Sequence, residues 1–112
     1  MAQSDRRLAL SKFELRYLPV FWQDLFDAVS YVTNVLNNEA AAKRMVNDVD
    51  SEINKHLQNP TCALTYKSAK KRDNTYYWFS VGNYMVFYVV IDNIMEVRRF
   101  LYGSRDLTKI NL

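Results

Sequence analysis

Apolar and polar residues alternate along residues 12–18, and this period of two predicts a short first strand. Pro19 follows it and fits the first turn of a helix, where a backbone N–H has no helical partner to lose. Apolar residues then recur at helical spacing from position 20 to about 36, which predicts a first helix. Asp24 and Asp27 are expected in its early turns, where the positive end of the helix dipole favours acids.

A second helix is predicted from Glu39 to about residue 58, with Asn38 as its N-cap. Its outer face mixes both signs of charge, and the very short link to the first helix predicts an antiparallel helix hairpin. Asn59 and Pro60 end this helix, because the residue before a proline avoids helical geometry. Residues 63–66 are expected to form a brief extended piece.

The C-terminal half is rich in β-branched and aromatic residues. Strands are predicted at 76–81, 84–91 and 94–102, joined by tight turns at 82–83 and 92–93. The sequence therefore predicts an α+β fold: an N-terminal strand, an antiparallel two-helix hairpin, and a three-stranded antiparallel meander. The helices should pack on one face of the sheet, where they can bury their apolar stripes.

The chain has 112 residues, which suits one domain over residues 12–112 after a flexible lead at 1–11. The net charge of +3 permits an acidic partner without requiring one. No apolar run is long enough to predict a membrane span or a signal peptide, so the expected location is the cytoplasm. One cysteine and one histidine exclude a cysteine-rich or multi-histidine metal site, and no cofactor is predicted.

Few residues carry an obvious catalytic pattern. Two glycines cannot build a phosphate-binding loop. Cys62 could pair with His56 as a nucleophile and base, but it follows a helix end instead of occupying a helix N-terminus, which weakens the case for a reactive thiolate. His56 is more simply a structural residue on the second helix.

The adjacent Arg98 and Arg99 should point to opposite faces of the last strand. By the same period, Met95, Val97 and Leu101 share a face with Arg99. If that face packs on the helices, Arg99 lies at its margin and pairs with an acid, since a buried unpaired charge is costly. The alternative is that Arg99 contacts a ligand or partner.

A basic run before the meander allows two interpretations. It contains Lys67, Lys70, Lys71 and Arg72. It is either a loop kept in solvent by its charge or a loop that contacts phosphates or acidic groups.

Several segments together resemble the RelE/ParE superfamily of bacterial type II toxins. They are Tyr17-Leu18-Pro19 with Asp24-Leu25 and Tyr31-Val32, Leu36–Ala41 through Asn59-Pro60, the hairpin Val81–Tyr88, and a closing motif at Arg99–Asp106. Their order and spacing extend over most of the chain, from Phe13 to Leu107. The resemblance implies a growth-inhibiting toxin, associated with plasmid stabilisation, that a cognate antitoxin neutralises.

The two branches of this family imply different mechanisms. RelE-type toxins cut mRNA on the ribosome with cationic side chains, which fits a reaction that removes a 2′-hydroxyl proton and stabilises a charged phosphorane. At the matching positions this chain has Tyr76, Trp78 and Met85, and only Arg105 matches a catalytic arginine. The closing motif resembles that of the ParE branch, whose members poison DNA gyrase by binding it.

We therefore predict a ParE-like gyrase inhibitor without catalytic residues, whose target-binding residues are Arg99, Tyr102, Arg105 and Asp106. One alternative is a ribosome-dependent mRNA endonuclease that uses Arg99, Tyr102 and Arg105 with a lysine from 67–71. A second alternative is a non-toxic family member that acts only as an antitoxin partner.

Overall fold

The computed structural model describes residues 12–66 and 74–103 of the chain. Its elements are β1 (Glu14–Tyr17), α1 (Pro19–Ser30), a π-helical turn (Tyr31–Val35), α2 (Glu39–Leu57), β2 (Leu64–Tyr66), β3 (Tyr76–Val81), β4 (Tyr84–Ile91) and β5 (Ile94–Tyr102). The predicted flexible lead at 1–11 lies outside the described residues. No helix in the described ranges is long and apolar enough to cross a membrane.

Particular residues set where the two helices begin and how the chain turns between them. Pro19 occupies the start of α1. After Ser30 the helix widens into the π-helical turn, where the Leu36 N–H donates to the Tyr31 carbonyl over 3.1 Å. Asn37 has a φ of 52°, a left-handed conformation that asparagine tolerates better than most residues. The predicted N-cap is confirmed, because the Asn38 side chain accepts a hydrogen bond from the Ala41 N–H at 3.0 Å.

The sheet has five strands in the order β1-β5-β4-β3-β2. The meander from β3 to β5 is antiparallel as predicted, with Gly82 at a φ of 59° and Asp92 at 56° in its two turns. The sheet as a whole is mixed and not purely antiparallel, because β1, whose pairing the sequence did not predict, pairs with β5 in parallel. The long connection between these strands allows a parallel pair, and local periodicity carries no signal for it.

The extended piece expected at residues 63–66 corresponds to β2 and completes the five-stranded sheet. Leu64–Tyr66 pairs antiparallel with β3 and forms one edge of the sheet. The Leu64 side chain is largely exposed. A three-residue strand is short enough to limit unwanted pairing along this edge.

The main core lies between the helices and one face of the sheet. Its buried residues are Phe21, Leu25 and Ala28 from α1, Val49 and Ile53 from α2, and Phe79, Val81, Val86, Tyr88, Met95, Val97 and Phe100 from the strands. Burying side chains of this size supplies most of the driving force for folding. As the sequence predicted, the helices pack on one face of the sheet.

The predicted side-chain faces of β5 are wrong beyond Val97. Phe100 packs against the helices with Met95 and Val97, whereas Leu101 lies in a separate cluster on the second face of the sheet. The cause is a β-bulge. On β4, Tyr88 is opposite Val97 and the preceding residue, Phe87, is opposite Arg99, so Arg98 is the extra residue of β5. One extra residue in β5 reverses the alternation from that point onward.

A buried hydroxyl ties the chain after α2 to the middle of the sheet. The Tyr88 hydroxyl donates to the Pro60 carbonyl, and both residues are almost fully buried. Burial raises the pKa of the Tyr88 phenol, with smaller contributions from Tyr77 and Cys62. This hydroxyl therefore stays protonated and remains a donor.

The substitution Tyr88→Phe should lower the free energy of unfolding by about 1–3 kcal/mol, because the Pro60 carbonyl loses its buried donor. Tyr77→Phe is the matched control, since the Tyr77 ring stacks on Tyr88 but its partly buried hydroxyl has no such bond. Urea unfolding followed by far-ultraviolet circular dichroism measures both. Equal losses in the two variants would contradict the assignment.

Candidate functional site

Beyond Val97, β5 is not paired with β1 or with any other described strand on that side. β1 ends at Tyr17, which is opposite Val97, and the Leu18 N–H makes the final bond, to the Val97 carbonyl at 2.9 Å. β5 continues to Tyr102. An exposed strand edge leaves backbone groups without partners unless another group covers them.

Asp24 of α1 covers this edge. Its Oδ2 accepts a hydrogen bond from the Phe100 N–H at 3.0 Å. The Val97 carbonyl and the Phe100 N–H point to the same edge although they are three residues apart. Regular alternation would require an even spacing, so the bulge is what presents the Phe100 N–H to Asp24.

The same carboxylate forms an ion pair with Arg99. The distances are 2.7 Å from Arg99 Nε to Oδ2 and 3.0 Å from Nη2 to Oδ1, which is the bidentate geometry that guanidinium and carboxylate groups favour. The side chains are 16% and 11% exposed. Hydrogen bonds from Arg99 to Asp24 raise the pKa of the guanidinium. The structural ion pair that the sequence left open is therefore present.

The reason predicted for Asp24, an acid placed near the positive end of the helix dipole, does not hold. The first turn of α1 contains no acid, so the helix dipole does not explain Asp24 or Asp27. Asp24 lies three residues after Phe21 and four before Ala28, and therefore shares their core-facing side of the helix. An acid within an apolar stripe is a sequence signal that would have pointed to a buried partner, and the sequence reasoning did not use it.

Tyr102 lies at the exposed end of this edge. Its side chain is 47% exposed and its ring meets Tyr84 edge-on, with centroids 5.5 Å apart. Tyr84 in turn stacks on Phe100 at 4.7 Å. The next residue, Gly103, is fixed by its N–H, which donates to the Asn83 carbonyl at 2.8 Å.

A groove of about 730 Å³ opens beside Tyr102, between the helices and the β3–β4 turn. Sequence reasoning did not find it. Its apolar side chains include Tyr31, Leu36, Met45 and Tyr84, and Arg44 and Asp48 contribute opposite charges. Burial raises the pKa of the Tyr84 phenol, helped by the nearby phenols of Tyr102 and Tyr31.

The centre of the second face of the sheet is apolar. Its buried cluster consists of Tyr76, Phe87, Val89 and Leu101, with Tyr66, Trp78, Met85 and Ile91 packed against them. The three positions singled out by the resemblance, Tyr76, Trp78 and Met85, thus all belong to one packed cluster.

The charged groups described on this face are engaged with one another. Glu96 is 5% exposed and lies between Arg16 and Arg98, with N–O distances of 2.7 and 2.8 Å. Arg98 also donates to the Tyr76 hydroxyl at 2.8 Å. Burial alone would raise the pKa of the Glu96 carboxyl, but the two guanidinium groups outweigh it and hold that pKa below its usual value.

Several predicted site residues lie outside the described residues. They are Arg105, Asp106, Lys67, Lys70, Lys71 and Arg72. Of the predicted target-binding residues, the structure places Arg99 in the ion pair with Asp24 and Tyr102 at the exposed end of β5.

His56 and Cys62 have separate surroundings. The His56 ring stacks on Phe79 with centroids 4.0 Å apart, and its Nδ1 lies 2.9 Å from the Glu52 carbonyl, which it reaches as a donor. Cys62 is exposed. Within residues 12–66 and 74–103, no three or more His, Cys, Asp or Glu side chains form a group suited to a metal ion.

Comparison with known proteins defines the class as toxins of type II toxin-antitoxin systems. The sequence profile of the family described as "ParE toxin of type II toxin-antitoxin system, parDE" matches residues 15–107. The chain belongs to this ParE toxin family, within the RelE/ParE superfamily, which confirms the resemblance read from the sequence.

A solved structure has a similar fold. It is a chain of the "Chromosomal ParDE TA system from P. aeruginosa", with 12% sequence identity and a TM-score of 0.69. The match covers 84% of this chain and 99% of that chain. No curated protein sequence matches the chain.

The substitution Glu96→Gln should destabilise the protein by about 2 kcal/mol at neutral pH, because two guanidinium groups lose their carboxylate. The loss should shrink as pH falls below 4.5, the ordinary value for this carboxyl. A pKa lowered by folding stabilises the native state above the unfolded pKa, and that contribution disappears as acid protonates the folded carboxyl.

The measurement is the difference in free energy of unfolding between wild type and Glu96→Gln across pH 3 to 7. Asp48→Asn, which changes an exposed acid on α2, is the control and should show a far smaller pH-dependent difference. A difference for Glu96→Gln that does not change with pH would refute the assignment.

Proposed function

We propose that this ParE-family toxin stops growth by binding and poisoning DNA gyrase, and that a cognate antitoxin neutralises it. The proposal treats the protein as a binding inhibitor without catalytic residues. Its principal support is the apolar character of the second face of the sheet, at the positions where RelE-type toxins carry cations.

An RNA-cleaving site needs a base for the 2′-hydroxyl and positive charge beside the scissile phosphate. Tyr76, Trp78 and Met85 supply neither at neutral pH. The Tyr76 hydroxyl is also engaged, since it accepts a hydrogen bond from Arg98. This arrangement favours packing and binding over phosphodiester cleavage.

The arginines near this face are likewise committed to carboxylates. Arg98 shares Glu96 with Arg16, and Arg99 forms a bidentate pair with Asp24. Freeing either guanidinium for a phosphate would take an arginine partner away from a largely buried carboxylate, which is costly. Arg105 remains the cation of the closing motif that we assign to target contact.

The surface at the end of β5 suits protein recognition. Tyr102 is half-exposed and held against Tyr84, and tyrosine is among the residues that contribute most energy at protein interfaces. We assign Tyr102, Arg105 and Asp106 to the gyrase contact. Arg99 contributes through its ion pair with Asp24 at the same end of β5.

An antitoxin needs apolar surface to cover. The outer side of α1 exposes Val20, Trp22 and Phe26, and α2 exposes Val46. Antitoxins of this general kind would bind through an added helix or strand, which are the common ways of extending a small fold.

Purified protein should inhibit gyrase supercoiling or trap cleaved DNA, and Arg105→Ala should raise the half-inhibitory concentration about tenfold or more. Lys109→Ala, which removes a cation from the same C-terminal stretch, is the matched control and should leave inhibition nearly unchanged. Normal gyrase activity at saturating protein would refute the proposal.

Two other results would identify the alternatives. Toxin-dependent mRNA ends on translating ribosomes that vanish with Arg105→Ala would indicate an endonuclease. Unimpaired growth on induced expression in a bacterial host would indicate a non-toxic member of the family.

A further inference from the structure

We propose that Asp24 is a positioning residue: it holds the end of β5 in place so that Tyr102 meets the target in one orientation. This inference rests on the proposed function. Asp24 contacts no target itself and acts through Arg99 and the backbone of Phe100.

The first observation is that one carboxylate replaces a missing strand. Beyond Val97, no described strand lies on the β1 side of β5, and Asp24 supplies an acceptor there. Its Oδ2 accepts the hydrogen bond from the Phe100 N–H that a backbone carbonyl of a longer β1 would accept. The edge is thus closed by a side chain from a helix.

The second observation concerns the charge of Asp24. Its two oxygens receive three donors, Nε and Nη2 of Arg99 and the Phe100 N–H, in surroundings where both side chains are largely buried. An asparagine offers a single acceptor oxygen, and its amide hydrogens would face the guanidinium donors. The site therefore requires a carboxylate.

The third observation is that the opposite side of the strand is also fixed. Tyr102 is paired with Tyr84 in the β4–β5 ladder, and the Gly103 N–H donates to the Asn83 carbonyl. A Cβ on Gly103 would lie 3.1 Å from that oxygen, so the backbone approach is close. Tyr102 thus lies on a segment held by α1 on one side and by the β3–β4 turn on the other.

Rigid placement matters for the side chain at this point. Ordering a mobile segment during binding costs free energy, and a preordered tyrosine avoids most of that cost. Loss of the Asp24 contacts should therefore weaken target binding beyond what the loss of folded protein explains, because these contacts hold the strand segment that carries Tyr102.

The experiment compares Asp24→Asn with Asp27→Asn, a matched change on the exposed side of the same helix. Amide hydrogen exchange by NMR reports on Phe100 and Leu101, gyrase supercoiling reports on target binding, and growth arrest on induced expression reports on toxicity. Asp24→Glu is the conservative variant. Ile53→Val lowers the stability of the core far from Tyr102 and corrects for lost folded protein.

Asp24→Asn should speed exchange at Phe100 about tenfold or more, since its edge bond weakens. When the two variants are compared at the same fraction of folded protein, Asp24→Asn should have a half-inhibitory concentration about tenfold higher than that of Ile53→Val. Asp24→Glu should recover most of the inhibition, and Asp27→Asn should change neither measurement.

Unchanged exchange at Phe100 in Asp24→Asn would overturn the inference, as would faster exchange without any loss of inhibition beyond that of Ile53→Val. Wild-type protein that arrests growth but leaves gyrase unaffected refutes the proposed function alone. Growth arrest by the same variants then decides the inference: Asp24→Asn must lose toxicity while Asp27→Asn retains it. A wild-type protein without toxicity overturns both.

Discussion

The extra residue in β5 determines the arrangement of everything around it. Without it, Phe100 would point away from the helices and Leu101 would replace it in the core. The same extra residue turns the Phe100 N–H toward Asp24 and leaves Arg99 at the open edge, within reach of that carboxylate. One bulge thus fixes a core residue, an ion pair and an edge bond together.

The two faces of the sheet use charge differently. On the helix side, the buried acid Asp24 joins a helix to the last strand. On the second face, Glu96 joins the first strand to the last through Arg16 and Arg98. Each carboxylate binds arginine in a place with little solvent, where removing either partner leaves an expensive unpaired charge. The apolar residues around Tyr76 fill the centre of that second face.

Local chemistry allowed much of the fold to be predicted from the sequence. The strand bounds of the meander followed from the turns at 82–83 and 92–93, and the start of α2 followed from Asn38. The parallel β1–β5 pair could not be predicted, because it joins residues about 80 positions apart and leaves no periodic signal. The bulge and the π-helical turn were missed since each changes the register by a single residue.

The candidate site was predictable in part for the same reasons. An acid partner for Arg99 was one of the two interpretations that the sequence allowed, but the identity of that acid depended on how α1 lies against β5. Tyr102 was singled out because it belongs to the closing motif, at the end of the last predicted strand. The groove beside it combines residues from α2, the π-helical turn and two strands, and its shape depends on packing that no local pattern encodes.

The sheet order also sets the timing of folding during synthesis. Among the described strands β1 has only β5 beside it, and the partners of Arg16 and Asp24 lie 80 and 75 residues further along. A ribosome releases the chain from its N-terminus, so these contacts wait until β5 has emerged. Contacts this distant in sequence also form slowly. The nascent toxin therefore acquires the finished surface around Tyr102 only after β5 has left the ribosome.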